Sequence, residues 1–307
     1  MRTVFLGTSD FAAAVLRGLA GEPRSSGAHR PLLVITRPDR PAGRGRKLTA
    51  PPVADAARML GLEIAQPENV NDSDARELIA SVAPDAVIVC AFGALIKEPL
   101  LSDHELLNVH PSLLPRWRGA APIERAIMAG DELTGVSIMR LTAGLDSGPV
   151  CLTAGEPILP QDTFGSLSAR LERVGGQLLV DTLDTLARGE PLPFSDQEER
   201  LVTYAEKILP ADRLLDPALP AAQLERVVRA LHPHVGARVA LADGTLLGVR
   251  RAVPADQAAI PAVGLFVREG HLLLGCRQGA LELIEVQPPG KRPMEASAFL
   301  RGHGLPS

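Results

Sequence analysis

AVIVCAFG, residues 86–93, decides how the first half of this chain folds. Val87, Ile88, Val89 and Cys90 are apolar at successive positions, so a strand built from them is apolar on both faces. Three other short runs read in the same way: TVFLG near the start, LLVIT at residues 32–36 and LLNVH at residues 106–110. Helical patterns separate them, at about Asp10–Leu19, Pro52–Leu60 and Asp72–Ala83. Strands of this type alternating with helices imply a parallel sheet covered on two sides, so the expected fold is α/β with a doubly wound, mostly parallel sheet. A further strand, GVSIMRL, and a long helix over roughly Thr163–Arg188 complete it, with Leu167, Leu171, Val174, Leu178 and Leu186 as one apolar stripe.

The rhythm stops at residues 190–206, where prolines and charges replace any sustained period, as in a linker on the surface. Three stretches are therefore expected: a catalytic domain over 1–189, a linker over 190–206 and a smaller domain over 207–307. In the last, a helix near Gln223–Leu231 precedes short apolar segments joined at Asp243-Gly244, Glu269-Gly270 and Gln278-Gly279. Tight glycine turns between short strands suggest a small antiparallel β-barrel.

The chain has 307 residues, of which 46% are hydrophobic, enough for two packed cores. No apolar run approaches the roughly 20 residues of a membrane span, and Asp10 interrupts the place where a signal peptide needs its apolar core, so no membrane association and a cytoplasmic location are expected. Cys90, Cys151 and Cys276 are widely separated and read as reduced core residues. The formal net charge of −4 argues against a generic nucleic-acid binder, but the sign is uneven along the chain. Residues 1–206 hold 20 Lys+Arg against 27 Asp+Glu, whereas residues 207–307 hold 12 against 9, a balance of +3. Within the acidic part, RPDRPAGRGRK at residues 37–47 sets Arg37, Arg40, Arg44, Arg46 and Lys47 against Asp39 alone. That segment, too rich in Gly and Pro for a helix or strand, reads either as a solvated loop or as an arm that meets phosphates.

Chemistry concentrates in LNVHPSLLPRWRG, residues 107–119. Alternation along a strand sends Asn108 and His110 to one face, and Pro111 ends the strand beside them. The carboxyl end of a strand is where open α/β sheets hold ligands. An amide can donate to a developing oxyanion, and an imidazole can donate to it or move a proton. Asp146, in LTAGLDSGPV directly after GVSIMRL, is the candidate carboxylate to orient His110. The same residues also suit a structural Asn-His pair and a turn-forming aspartate.

Other chemistries lack their motifs. Gly7-Thr8-Ser9-Asp10 has no G-x-G-x-x-G, GRGRK lacks the spacing of an ATP-binding loop, and there is no G-x-S-x-G elbow. His232 and His234 have no third ligand near them in sequence, so no metal site is expected.

At Asn108-Val109-His110, Ser112-Leu113-Leu114-Pro115 and Asp146 the chain resembles the folate-dependent formyltransferases. With GTSDFAAAVL, PDRPAGRGRKL, NVHPSLLPRWRGAAPIERAI, GDELTGVSIM, GLDSGP and YAEKI in the same order, it is similar to the methionyl-tRNA formyltransferase family over essentially its whole length. The resemblance implies a Rossmann-like formyltransferase fold followed by an OB-like barrel, and transfer of a formyl group from 10-formyltetrahydrofolate to the methionine of initiator Met-tRNA. It implies no metal, and a monomer. By the same resemblance Asn108, His110 and Asp146 are catalytic, Ser112, Leu113, Leu114 and Pro115 contact the folate, and Arg44, Lys47 and Lys207 contact the tRNA. Arg116, Trp117 and Arg118 shape the rim. Two positions depart from the family's commonest pattern: Ser147 stands where threonine is usual, and His234-Val235-Gly236-Ala237 replaces a Trp-Pro-Gly-Ala-like sequence. A small-amine or sugar-nucleotide formyltransferase, and a catalytically silent tRNA- or folate-binding protein, are the competing readings.

Overall fold

The computed structural model describes residues 1–21, 29–42, 45, 47–255 and 263–303. Its chain divides into two compact units. One comprises Met1–Gly119, Leu133–Pro157 and Ser168–Tyr204, and the other comprises Ala120–Glu132, Ile158–Leu167 and the chain from Ala205 onward.

A seven-stranded sheet organises the first unit. From edge to edge its strands are Ile64–Ala65, Leu33–Ile35, Thr3–Gly7, Ala86–Cys90, Leu106–His110, Leu133–Arg140 and Val150–Pro157. The first five run parallel. The last two are antiparallel additions, with His110 opposite Ser137 and Leu107 opposite Arg140. Ala86–Cys90 is buried at every residue, as expected for a central strand covered on both faces. Its apolar neighbours Val4, Leu6, Leu33, Ile35 and Ile79 belong to one core.

The long helix spans Phe164–Ala187. Its buried stripe takes Leu167, Leu171 and Leu178 as expected but continues through Leu179 and Leu183, while Val174 and Leu186 stay half-buried. Gly175 accounts for the shift. A Cβ there would lie 3.3 Å from Val109 and 3.5 Å from Val136, so the missing side chain lets the helix backbone press onto the strands. That contact covers the Val109 face and leaves Asn108 and His110 on the other.

The segment over residues 37–47 departs from the expected irregular loop. Arg40–Ala42 and Lys47–Thr49 pair as a short antiparallel hairpin, with Pro41 opposite Leu48. Proline is tolerated because a two-stranded ribbon is all edge. The segment is also less one-sided in charge than it reads, since Arg40 pairs with Glu68 at 2.5 Å and Asp39 accepts from Gln66.

The second unit carries an antiparallel sheet curled as a half-barrel, in the order Ala237–Ala240, Leu246–Ala255, Ala280–Gln287, His271–Gly275 and Gly264–Arg268, with Met294–Glu295 pairing on Ala280–Gln287. Gly244, Gly270 and Gly279 at the expected turns all take positive φ, at 81°, 83° and 78°. Helix Ala221–Ala230 turns Leu224 and Val228 into a core with Leu247, Val249, Leu281 and Leu283. His234 pairs with Glu124 at 3.0 Å and stacks on Phe164. Cys90, Cys151 and Cys276 are free and buried, and burial pushes the Cys151 and Cys276 thiols up to about 11. Among the described residues no helix is long and apolar enough to cross a membrane.

Gly135 tests how the antiparallel strand is seated. A Cβ there would collide with the Ala154 carbonyl and stand 2.6 Å from the Leu113 side chain. Gly135→Ala is expected to lower stability by about 1–3 kcal/mol, the usual penalty of overpacking, as measured by urea unfolding.

Candidate active site

Strand Leu106–His110 ends in two buried polar side chains, Asn108 and His110, at 7% and 4% exposure. Burial of this degree demands partners. The Asn108 amide donates to Asp146 Oδ1 at 3.4 Å, and His110 Nδ1 lies 3.7 Å from Asp146 Oδ2. His110 Nε2 is 2.9 Å from the Trp117 carbonyl oxygen. A carbonyl only accepts, so Nε2 carries the ring proton and Nδ1 turns to the carboxylate.

Asp146 arrives by a different route from the one its sequence position suggests. The strand before it, Leu133–Arg140, is antiparallel, so that strand's carboxyl end lies beside Leu107 and not at the edge where the parallel strands finish. The chain then turns sharply: Gly148 has no room for a Cβ against the Arg140 carbonyl, and Arg140 N–H donates to Pro149. Asp146 sits in that turn with φ of 43°, a left-handed conformation that aspartate tolerates better than most residues. Its Oδ2 accepts the Gly119 N–H at 2.8 Å.

Gln197, from the stretch read as linker, clamps the turn. Its amide donates to the carbonyls of Asp146 at 2.8 Å and Gly148 at 2.7 Å, while its oxygen accepts Arg118 Nε at 2.9 Å. Arg118 is itself buried, with its Nη2 on Glu199 at 2.9 Å, so it braces the turn through Gln197 and is not a rim residue. Nothing in the sequence spacing pointed to Gln197, which comes from 51 residues further along an irregular segment. Only the chain's return beside Val150, where Ser195 and Val150 exchange two backbone hydrogen bonds, brings it there.

Ser112, Leu113, Leu114 and Pro115 follow the strand as a compact loop. Ser112 Oγ donates to the Arg116 carbonyl at 2.6 Å; Ser137 Oγ donates to the Ser112 carbonyl at 2.7 Å and accepts the Leu114 N–H at 3.1 Å. Ser112 is fully buried, and Leu113, Leu114 and Pro115 are partly exposed. Lys47 and Lys207 are both exposed, and Arg44 lies outside the described residues. Among the described residues no group of three His, Cys, Asp or Glu side chains could hold a metal ion.

Amide, imidazole and carboxylate converging at a strand end make a site that can donate to a developing oxyanion and move a proton beside it, the equipment of a group-transfer enzyme. The chain belongs to the formyl transferase family: residues 1–183 match its formyl transferase domain and residues 207–304 its C-terminal domain. It is a formyl-transferring enzyme, and formyl-tetrahydrofolate is the donor that the family uses. The methionyl-tRNA formyltransferase of Methylococcus capsulatus is 42% identical over 308 residues, spanning 99% of this chain and 98% of that protein. That of Bordetella pertussis is 43% identical, over 98% and 99%. Among solved structures, Aquifex aeolicus HypX in complex with tetrahydrofolic acid superposes with a TM-score of 0.66 at 18% identity over 99% of this chain, which spans about half of HypX at 47%. The sugar 3N-formyl transferase WlaRD superposes with a TM-score of 0.65 at 14% identity, over 95% of this chain and 99% of its own. At such identities the structural likeness concerns the fold.

The Trp117 contact sets the ring's tautomer. In nitrogen-15 spectra of the neutral protein, His110 is expected as the Nε2-protonated form; a dominant Nδ1-protonated form would mean that the Trp117 carbonyl does not hold the ring.

Proposed function

We propose that this enzyme transfers the formyl group of 10-formyltetrahydrofolate to the α-amino group of methionine on initiator Met-tRNA, for translation initiation. The approach of Asn108 and His110 to Asp146, at 3.4 and 3.7 Å, carries the catalytic half of the reading. Identity of 42–43% to methionyl-tRNA formyltransferases across both family domains favours the tRNA over an amino-sugar acceptor.

In this reading the folate supplies an activated formyl carbon, and the chain's own groups do the rest. Asn108 donates its amide to the oxygen that gains charge when the amine attacks. With Nε2 committed to Trp117, the His110 atom that exchanges a proton is Nδ1: it takes one from the attacking nitrogen and returns it to the departing one. Asp146, held by the Gly119 N–H, stabilises the imidazolium formed between these steps and fixes the ring. Partial burial helps, because donors and charges act more strongly away from water. Ser112, Leu113, Leu114 and Pro115 border the folate. Arg44, Lys47 and Lys207 contact the tRNA, whose phosphates reward clustered cations by releasing counterions. The enzyme works as a cytoplasmic monomer, with a catalytic domain over 1–189, a linker over 190–206 and a tRNA-binding domain over 207–307.

The purified protein is expected to convert Met-tRNA and 10-formyltetrahydrofolate to formylmethionyl-tRNA. Inactivity on charged initiator tRNA together with activity on an amino-sugar nucleotide would overturn the choice of acceptor. His110→Ala is expected to slow transfer by about a hundredfold or more while folate binding persists. Arg44→Ala should raise KM for Met-tRNA and reduce its salt dependence with little change in folate binding; unchanged tRNA kinetics would remove Arg44 from the interface.

A further inference from the structure

The Trp117 carbonyl oxygen lies 2.9 Å from His110 Nε2, so whatever aims that carbonyl also aims the ring. Trp117 does not hold this position by its own preference. Its φ of 66° is left-handed, a conformation that a bulky aromatic residue keeps only where its surroundings impose it.

Thr203 imposes it, from the stretch expected as a linker and 86 residues further along the chain. Its hydroxyl oxygen accepts the Trp117 N–H at 2.9 Å, and its carbonyl accepts the Arg118 N–H at 2.9 Å. Its own N–H donates to the Pro115 carbonyl at 3.3 Å. The first two bonds fall on the two peptide planes that meet at the Trp117 Cα. Both peptides are trans, so the Trp117 carbonyl and the Arg118 N–H belong to one rigid plate and point in opposite directions. The Thr203 carbonyl takes the N–H side of that plate and thereby turns the carbonyl side to His110. The Thr203 hydroxyl takes the N–H of the plate before it. With both plates clamped, φ and ψ of Trp117 are fixed and the left-handed residue cannot relax.

These ties differ in what they ask of the sequence. Any residue at position 203 brings a backbone carbonyl, whereas the bond to the Trp117 N–H needs a side-chain acceptor of this length.

We infer that Thr203 is a positioning residue for formyl transfer: acting through Trp117, its hydroxyl keeps the ring proton of His110 on Nε2 and leaves Nδ1 open to the attacking amine. The inference rests on the reading of His110 as the group that moves that proton. Without the hydroxyl, the plate between Arg116 and Trp117 turns, the Trp117 carbonyl leaves Nε2, and the ring proton redistributes toward Nδ1, where Asp146 Oδ2 at 3.7 Å accepts it. An Nδ1 that already carries a proton takes none from the amine. The chemical step then slows while the substrates still bind.

The test compares the full-length wild type with T203V, which keeps the branched shape and loses the hydroxyl, and T203S, which keeps the hydroxyl. For each protein the melting temperature, the nitrogen-15 shifts of His110, and kcat and KM for transfer from 10-formyltetrahydrofolate to Met-tRNA are measured. T203V is expected to lower kcat about ten- to hundredfold, with KM for both substrates changed by less than about twofold, and to raise the Nδ1-protonated fraction of His110. T203S is expected to restore both the rate and the tautomer. Because Thr203 acts through His110, T203V added to H110A should cost nothing further. T203A carries the same expectations as T203V if the valine variant does not fold. Wild-type kcat and tautomer in the variants that lack the hydroxyl would overturn the inference. So would a T203S as slow as T203V, which would make packing the cause, or an equal further loss in the H110A background, which would place the effect elsewhere. An H110A protein that transfers at the wild-type rate would remove His110, and this role with it, from the reaction. That failure is distinct, because the T203V spectrum would still register the hold of Thr203 on the ring.

Discussion

One carboxylate holds the candidate site together. Asp146 meets Asn108 and His110 from the end of one strand, accepts the Gly119 backbone N–H, and is itself gripped through its carbonyl by Gln197. The strand end at Asn108 and His110, the backbone at Gly119 and the side chain of Gln197 therefore all meet at one residue in a left-handed turn. Such a conformation persists only where its surroundings over-determine it, and here the clamp through Gln197 and buried Arg118 does so. A strained turn held by hydrogen bonds on several sides fixes an aspartate more tightly than a strand end could. That matters for a reaction in which the donor geometry must exist before the substrate does.

Much of this was legible in the sequence because it follows from local rules. Val and Ile on both faces of residues 86–90 announced a covered parallel strand, Pro111 announced the end of another, and alternation put Asn108 and His110 on one face. Gly244, Gly270 and Gly279 announced the turns of the half-barrel. What the sequence hid depends on long-range return of the chain. Strand direction beyond His110 has no local signature, so the turn that carries Asp146 back to His110 was not legible, although Asp146 itself was. Gln197 has no periodic context, and Arg118 looked like a rim residue because a buried arginine is rare unless partners arrive from elsewhere. The pairing of Arg40–Ala42 with Lys47–Thr49 was hidden by the proline and glycines of that stretch of sequence, which usually argue against strands, although Pro41 is tolerated on a two-stranded ribbon.

Two places, first the site around Asp146 and second the cleft lined by Arg213 and Arg250, handle charge in opposite ways. In the first, buried charge is matched within the chain: Arg118 meets Glu199 and Gln197, and Asp146 meets backbone and side-chain donors. In the second, Arg213 and Arg250 are satisfied only by neutral oxygens, leaving net positive potential in a cavity. The first pattern keeps a reacting centre rigid, and the second keeps attraction available for something outside the chain.

Ser137 gives the antiparallel strand a further significance. Its hydroxyl stands between the Ser112 carbonyl and the Leu114 N–H, doing for that loop what a neighbouring strand would do for a straight segment. A slip of one residue in the pairing of Leu133–Arg140 with Leu106–His110 would put Val136 or Ile138 opposite His110 and turn the hydroxyl to the other face. The loop would then lose both of its ties at once. Correct strand registration and an assembled site are thus the same event, so a misregistered chain yields an inert protein and not one with a distorted, indiscriminate chemistry.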